Sequence, residues 1–122
     1  MGEERLTFKE MCARFDVTAR TLRYYEYIEL LFPEREGRSR FYGSRDIARM
    51  TLILRGRRWG FSLEEIRQWL LIYEEKGSDS QYTEFVRLAD RQLAALEKEA
   101  GELQETIKDL RKYRDEVDKS LT

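Results

Sequence analysis

Histidine is absent from the 122 residues and cysteine occurs once, at Cys12. The donors that soft-metal sites need are therefore missing, and a disulfide within the chain is impossible. The same poverty removes the usual nucleophile and base pairings. With no phosphate-cradling glycine loop and no paired-acid cleft in view, an enzyme is not expected, nor is a cofactor. No run is long and apolar enough to cross a bilayer, and neither a signal peptide nor a lipidation motif is present, so the expected location is the cytoplasm, with no membrane partner. Cys12 falls on an apolar helix stripe and reads as a buried filler.

One-sided charge is also lacking overall: the formal net charge is −1 and the sequence pI about 5.7. Its distribution is uneven. Residues 1–73 hold 14 Lys+Arg against 11 Asp+Glu, whereas residues 74–122 hold 9 against 13. Thirteen of those first 14 cations are Arg, and Arg35 to Arg58 contains eight Arg against only Glu36 and Asp46. Arg offers a fork matched to phosphate that Lys lacks, which favours docking on a nucleic-acid backbone over mere solubility. With a hydrophobic fraction of 41%, the length suits one small domain plus an extension.

The most informative stretch is Arg20-Thr21-Leu22-Arg23-Tyr24-Tyr25-Glu26. Arg20 and Arg23 project from one helical face, where a guanidinium can take guanine acceptors or a phosphate. Taken alone, the heptamer also fits a solvated Arg face over a Tyr/Leu core stripe, and its flanks decide between the two. Upstream, Thr7 to Glu10 has capping-box spacing and opens an apolar set of Phe8, Met11, Cys12 and Phe15, a first helix. Asp16-Val17 is a turn and Thr18 a cap for the second helix. Two helices joined so tightly make a helix-turn-helix, whose second member enters the major groove.

Pro33 then blocks helix continuation, Glu34 to Gly37 reads as a loop, and Arg38 to Tyr42 alternates as one strand of a small β-hairpin wing with Arg40 and Tyr42 on one side. Ser44 is expected to cap a third helix with Ile47, Met50, Ile53 and Leu54 inward, ended by Gly60. Ser62 to Glu65 repeats the capping box before a fourth helix with the stripe Leu63, Ile66, Trp69, Leu70 and Tyr73.

Lys76 to Ser80 breaks the pattern, and from about Glu84 the sequence reads as helix to its end. Spacings of three and four residues carry Val86, Ala89, Leu93, Leu96, Ala100, Leu103, Ile107, Leu110, Arg114, Val117 and Leu121, ten of the eleven apolar. Such heptads argue for a coiled coil spanning roughly 50 Å, whose stripe needs a partner; self-pairing into a homodimer is expected over folding back on so small a domain. Gly101 falls at a solvent-facing position and Arg114 marks fraying or a register device. The expected organisation is mainly α: a winged helix-turn-helix DNA-binding domain over 1–75, a linker over 76–83 and a coiled-coil dimerisation helix over 84–122.

Residues 6 to 73 resemble the DNA-binding half of MerR-type transcription regulators, the family of the mercury-resistance regulator. The resemblance lies in Arg20 to Glu26 followed by Leu30-Leu31, the Gly37-x-x-Arg40-x-Tyr42 wing, Asp46, and Gly60 to Ile66, in order and at the family's spacing. Many members carry an aromatic residue where this chain has Ser39. The run Leu52 to Arg58, with Glu36-Gly37 and Arg40, is similar to members controlling leucine and related acyl-CoA breakdown.

The resemblance implies an antiparallel coiled coil and a dimer on a pseudo-palindromic promoter operator. It also implies action by bending and untwisting the overlong promoter spacer so that RNA polymerase engages both elements, a form of indirect readout; the sequence leaves activation and repression open. Arg20 and Arg23 are the candidates for base-edge or adjacent backbone contacts, with Tyr24 as a hydroxyl donor to phosphate. By resemblance Arg40 and Tyr42 grip flanking phosphates. Arg57 and Arg58 are candidates for a second wing, and Thr18 and Arg38 complete the set. Many relatives take an effector in a domain or metal loop beyond the coiled coil, whereas this sequence stops at Thr122; an effector seated between the coil and the DNA-binding domain, a longer natural chain, and the absence of a small effector all remain open. The competing expectations are an architectural, excisionase-like DNA-bending protein and a coiled-coil adaptor docking its Arg surface on an acidic protein.

Overall fold

The structure, a computed structural model, describes residues 4–75 and 79–121. They fall into two compact units divided between Gly77 and Ser78.

The first unit opens with β1 (Leu6–Thr7) and α1 (Phe8–Phe15), followed by α2 (Ala19–Tyr27). Thr7 starts α1 through the expected capping box: its hydroxyl accepts from Glu10 N–H at 3.2 Å while the Glu10 carboxylate accepts from Thr7 N–H at 2.9 Å. Asp16 ends α1 in the left-handed conformation at φ 53°, and Thr18 caps α2 by accepting from Thr21 N–H at 3.1 Å. Each such cap stabilises a helix by about 1 kcal/mol.

Helix α2 ends in a Schellman motif, with Glu29 N–H donating to Glu26 O at 3.0 Å and Leu30 N–H to Tyr25 O at 2.8 Å. Its left-handed position, φ 62°, is held by Glu29 and not by glycine. The chain then buries Leu30 and Leu31 and enters the wing.

Strands β2 (Glu34–Glu36) and β3 (Ser39–Tyr42) form an antiparallel hairpin, and β1 pairs on the other side of β3 with Leu6 opposite Tyr42. Glu34 to Glu36, expected as loop, is thus a strand, and β1 was not anticipated. Two residues of ladder carry too little pattern to read. Gly37, at φ 64°, is the first of the two turn residues, where a primed turn needs a positive φ.

Helix α3 (Ser44–Trp59) differs from expectation at its start: Gly43 is the cap, no side chain bonds there, and Ser44 is the first helical residue. Gly60 closes α3 at φ 93°, as expected. Ser62 and Glu65 form the second capping box and start α4 (Leu63–Glu75). The core is Met11, Leu22, Leu30, Leu31, Tyr42, Met50, Ile53, Ile66 and Leu70, all fully buried. A Cβ on Gly56 would meet Ile66 Cγ1 at 2.8 Å, so glycine sets the approach of α3 to α4. Cys12, expected buried, is half-buried; partial burial still pushes its thiol pKa up.

The second unit is α5 (Asp79–Ser120), a 42-residue helix about 60 Å long. It starts five residues before Glu84, so Asp79 to Thr83, expected as linker, are already helical. Residues 76–78 of that expected linker, and the Tyr73 side chain of the expected α4 stripe, lie outside what the structure describes. Gly101 passes within the helix with open space around it. Arg114 is exposed and pairs with Asp115 and Asp118 along its own helix. Among the described residues no helix is long and apolar enough to cross a membrane.

Candidate nucleic-acid interface

Helix α2 divides its faces by residue. Leu22 and Tyr25 turn into the core, while Arg20, Arg23, Tyr24 and Tyr27 are exposed, Tyr24 to 48% and Tyr27 to 83%. Tyr27, 83% exposed beside Arg20, Arg23 and Tyr24, is a contact candidate not evident from the sequence, although its place three residues after Tyr24 marks the same face. These side chains line an open groove of about 590 Å³ together with Arg57 from the end of α3 and Leu63 from the start of α4. Arg57, a candidate for a second wing, lies beside α2 across this groove, its guanidinium donating to Phe61 O at 3.3 Å. Arg58 is exposed but does not line the groove. Thr18 is committed to its capping role and donates its hydroxyl to Thr21 Oγ1 at 3.0 Å.

The wing carries Arg38 at its turn, exposed, and Arg35 directly opposite Arg40 across the hairpin. Arg40 and Tyr42 share a side of β3, as expected, and both turn to one carboxylate. Arg40 Nε lies 3.1 Å from Glu26 Oε1, an ion-pair distance without hydrogen-bond alignment, and the Tyr42 hydroxyl donates to Glu26 Oε2. The expectation that Tyr42 grips phosphate is therefore corrected: its side chain is fully buried and its hydroxyl is already used. Burial, then the hydrogen bond to Glu26, push its pKa well above the ordinary tyrosine range. Arg40 remains partly accessible, held between Glu26 and the Phe8 ring, whose centroid is 5.4 Å from its guanidinium carbon.

Glu26 was missed as an organiser. The available signal was a lone carboxylate at the end of a helix that otherwise presents Arg and Tyr, followed in sequence by an Arg-x-Tyr strand.

Other side chains fix the segment between reading helix and wing. Asp46 accepts from Phe32 N–H at 3.1 Å, Arg49 Nε donates to Leu30 O at 2.7 Å, and Arg67 donates to Ile28 O. Burial raises the Asp46 pKa above the ordinary carboxylate value, against the lowering pull of the Phe32 N–H and of Arg49. On the wing's other side, Arg5 neutralises Glu34 and Glu36 at 3.7 and 3.2 Å and stacks over Phe41. Among the described residues, Arg20, Arg35, Arg38, Arg55 and Arg58 form no ion pair. The head thus has most of its acids matched internally and presents surplus guanidiniums on α2, the wing and the end of α3. That arrangement suits a phosphate backbone with base edges beside it.

Two family models match the chain: the MerR HTH family regulatory protein over residues 6–71, and the MerR DNA-binding region over residues 47–113. The HTH-type transcriptional regulator HmrR of Rhizobium leguminosarum bv. viciae is 36% identical over 97 residues, 79% of this chain and 74% of that protein. Among solved structures, a MerR family transcriptional regulator from Bacillus cereus superposes with a TM-score of 0.70 at 31% identity, covering 93% of this chain and 79% of that one. HiNmlR, a MerR family regulator lacking the sensor domain and bound to promoter DNA, gives a TM-score of 0.64 at 21% identity over 85% of this chain and 79% of that one, a likeness of fold.

Proposed function

This chain belongs to the MerR family of DNA-binding transcriptional regulators, and from that membership we propose that it acts as a homodimer on a pseudo-palindromic promoter operator. The observation that carries the proposal is the groove joining Arg20, Arg23, Tyr24 and Tyr27 of α2 to Arg57 of α3, with the wing's cations on the same unit. Arg20 and Arg23 take base edges or adjacent phosphates, Tyr24 donates to phosphate, and Arg38 and Arg40 grip the flanking backbone. Arg57 adds a contact beside the reading helix.

Pairing is supported by α5. Its stripe stays exposed, with Leu103 at 61% and Leu110 at 66%, and a lone helix of this length does not keep such a stripe in water. The partner is a second copy, since both sides of a self-complementary seam then come from one sequence. The seam runs antiparallel, as the family resemblance implies, and sets two heads on two half-sites. On DNA the dimer distorts the promoter spacer so that RNA polymerase engages both elements, with part of the specificity residing in untouched bases. From the likeness of the run Leu52 to Arg58, with Glu36-Gly37 and Arg40, we infer kinship with members governing leucine and related acyl-CoA breakdown.

Footprinting on the promoter fragment beside its own gene, combined with transcription from that fragment, tests the reading. Protection of an inverted repeat with a changed transcript level is expected. Bending without any change in transcript would instead make the chain an architectural DNA-bending protein.

A further inference from the structure

The ring of Phe8 carries two cations from different elements. Arg23 of the reading helix lies over it with its guanidinium carbon 5.3 Å from the centroid, and Arg40 of the wing at 5.4 Å. Phe8 itself is fixed at both ends of its short neighbourhood. The capping box makes it the first residue of α1, and the preceding Thr7 is paired with Phe41 of the wing strand. The ring is therefore a rigid post between helix and wing.

The charges around it do not balance internally. Arg35 stands directly opposite Arg40 in the hairpin, a position where like charges repel. Among the described residues, the carboxylate paired within this group of Arg23, Arg35 and Arg40 is Glu26, which lies 3.1 Å from Arg40. The negative face of an aromatic ring offsets part of that repulsion, as an aliphatic side chain of similar size does not. The remaining counter-charge is what a phosphodiester supplies.

We propose that Phe8 is a positioning residue for DNA docking: its ring holds Arg23 and Arg40 together, so that reading helix and wing grip one stretch of phosphate backbone as a single unit. The inference rests on DNA binding by this head. It makes the two arginines energetically coupled, where a helix that reads and a wing that only clamps would contribute independently.

Binding of a labelled mixed-sequence duplex by the full chain tests it, because backbone contacts need no operator. Phe8→Leu is expected to weaken binding about fivefold, the scale of two half-exposed cation–π contacts. Phe8→Tyr, which keeps the ring, is expected to retain the original affinity, and Phe8→Met serves in place of Leu should that variant fail to fold. In a chain already carrying Arg23→Ala and Arg40→Ala, Phe8→Leu should cost nothing further. Unchanged affinity of the folded Phe8→Leu or Phe8→Met chain would overturn the inference, as would a loss of the same size in the doubly substituted background. Absence of duplex binding by the unaltered chain would overturn the DNA-binding reading and the inference with it.

Discussion

Glu26 holds the wing to the reading helix by accepting the Tyr42 hydroxyl and pairing with Arg40, so the three residues behave as one unit in which stability and DNA binding separate by position. Tyr42→Phe removes a buried hydrogen bond and leaves half of a carboxylate unsatisfied. A loss of about 1–3 kcal/mol in urea unfolding is expected, with the salt dependence of DNA binding unaltered. Arg23→Ala should cost about 1–3 kcal/mol on the operator, whereas Arg40→Ala should weaken operator and random duplexes alike and lower the salt slope by about one. Equal operator affinity after Arg23→Ala would remove its base-reading role. Asp46 gives a pH signature. Its folded pKa lies above the ordinary 3.8, so the folded chain takes up this proton before the unfolded chain does as pH falls. The contribution of Asp46 is therefore least favourable at neutral pH and grows on acidification, through a window that opens below the raised folded value and closes near 3.8. Asp46→Asn should remove that slope from the urea midpoint measured against pH. These residue roles were the least legible part of the sequence. Arg20, Arg23 and Tyr24 could be placed on an exposed face by helical period alone, but the fate of Tyr42 depended on a carboxylate 16 residues away, which no local pattern encodes.

Local chemistry made the elements themselves readable. The two capping boxes, the Thr18 cap and the Gly60 terminus each involve groups within a few residues of one another, and each forms as its spacing implies. Where pairing is remote, the reading faltered. Strand β1 exists only because Leu6 and Thr7 find Tyr42 and Phe41, and β2 only because β3 lies beside it. The start of α3 at Gly43 and Ser44 went astray for a different reason: a serine one position inside a helix looks the same in sequence as a serine that caps it. Helix α2 carries a testable strain at its end. Glu29 occupies the left-handed position of its Schellman motif, where glycine has no steric penalty. Glu29→Gly should raise stability by about 0.5–1 kcal/mol, measured as a higher urea midpoint, with the loop clamp of Asp46, Arg49 and Arg67 intact. A lower midpoint would show that the Glu29 side chain contributes more than its backbone costs.

At the scale of the whole molecule, the heptad stripe was fully legible, because a helix keeps its period whatever surrounds it. Its stretch from Val86 to Leu121 lies within α5 and the one residue beyond it, and its large apolar members remain exposed on the single chain. Function as proposed depends on that stripe meeting its own copy, since one head alone reads only half of a two-fold operator. Sedimentation equilibrium of the intact chain beside a Leu103→Asp, Leu110→Asp variant measures this directly. The unaltered chain, 14.7 kDa as a monomer, should sediment at twice that mass, and the variant should fall to the monomer mass while keeping the folded head. A monomeric unaltered chain, or a variant that stays dimeric, would contradict pairing through α5.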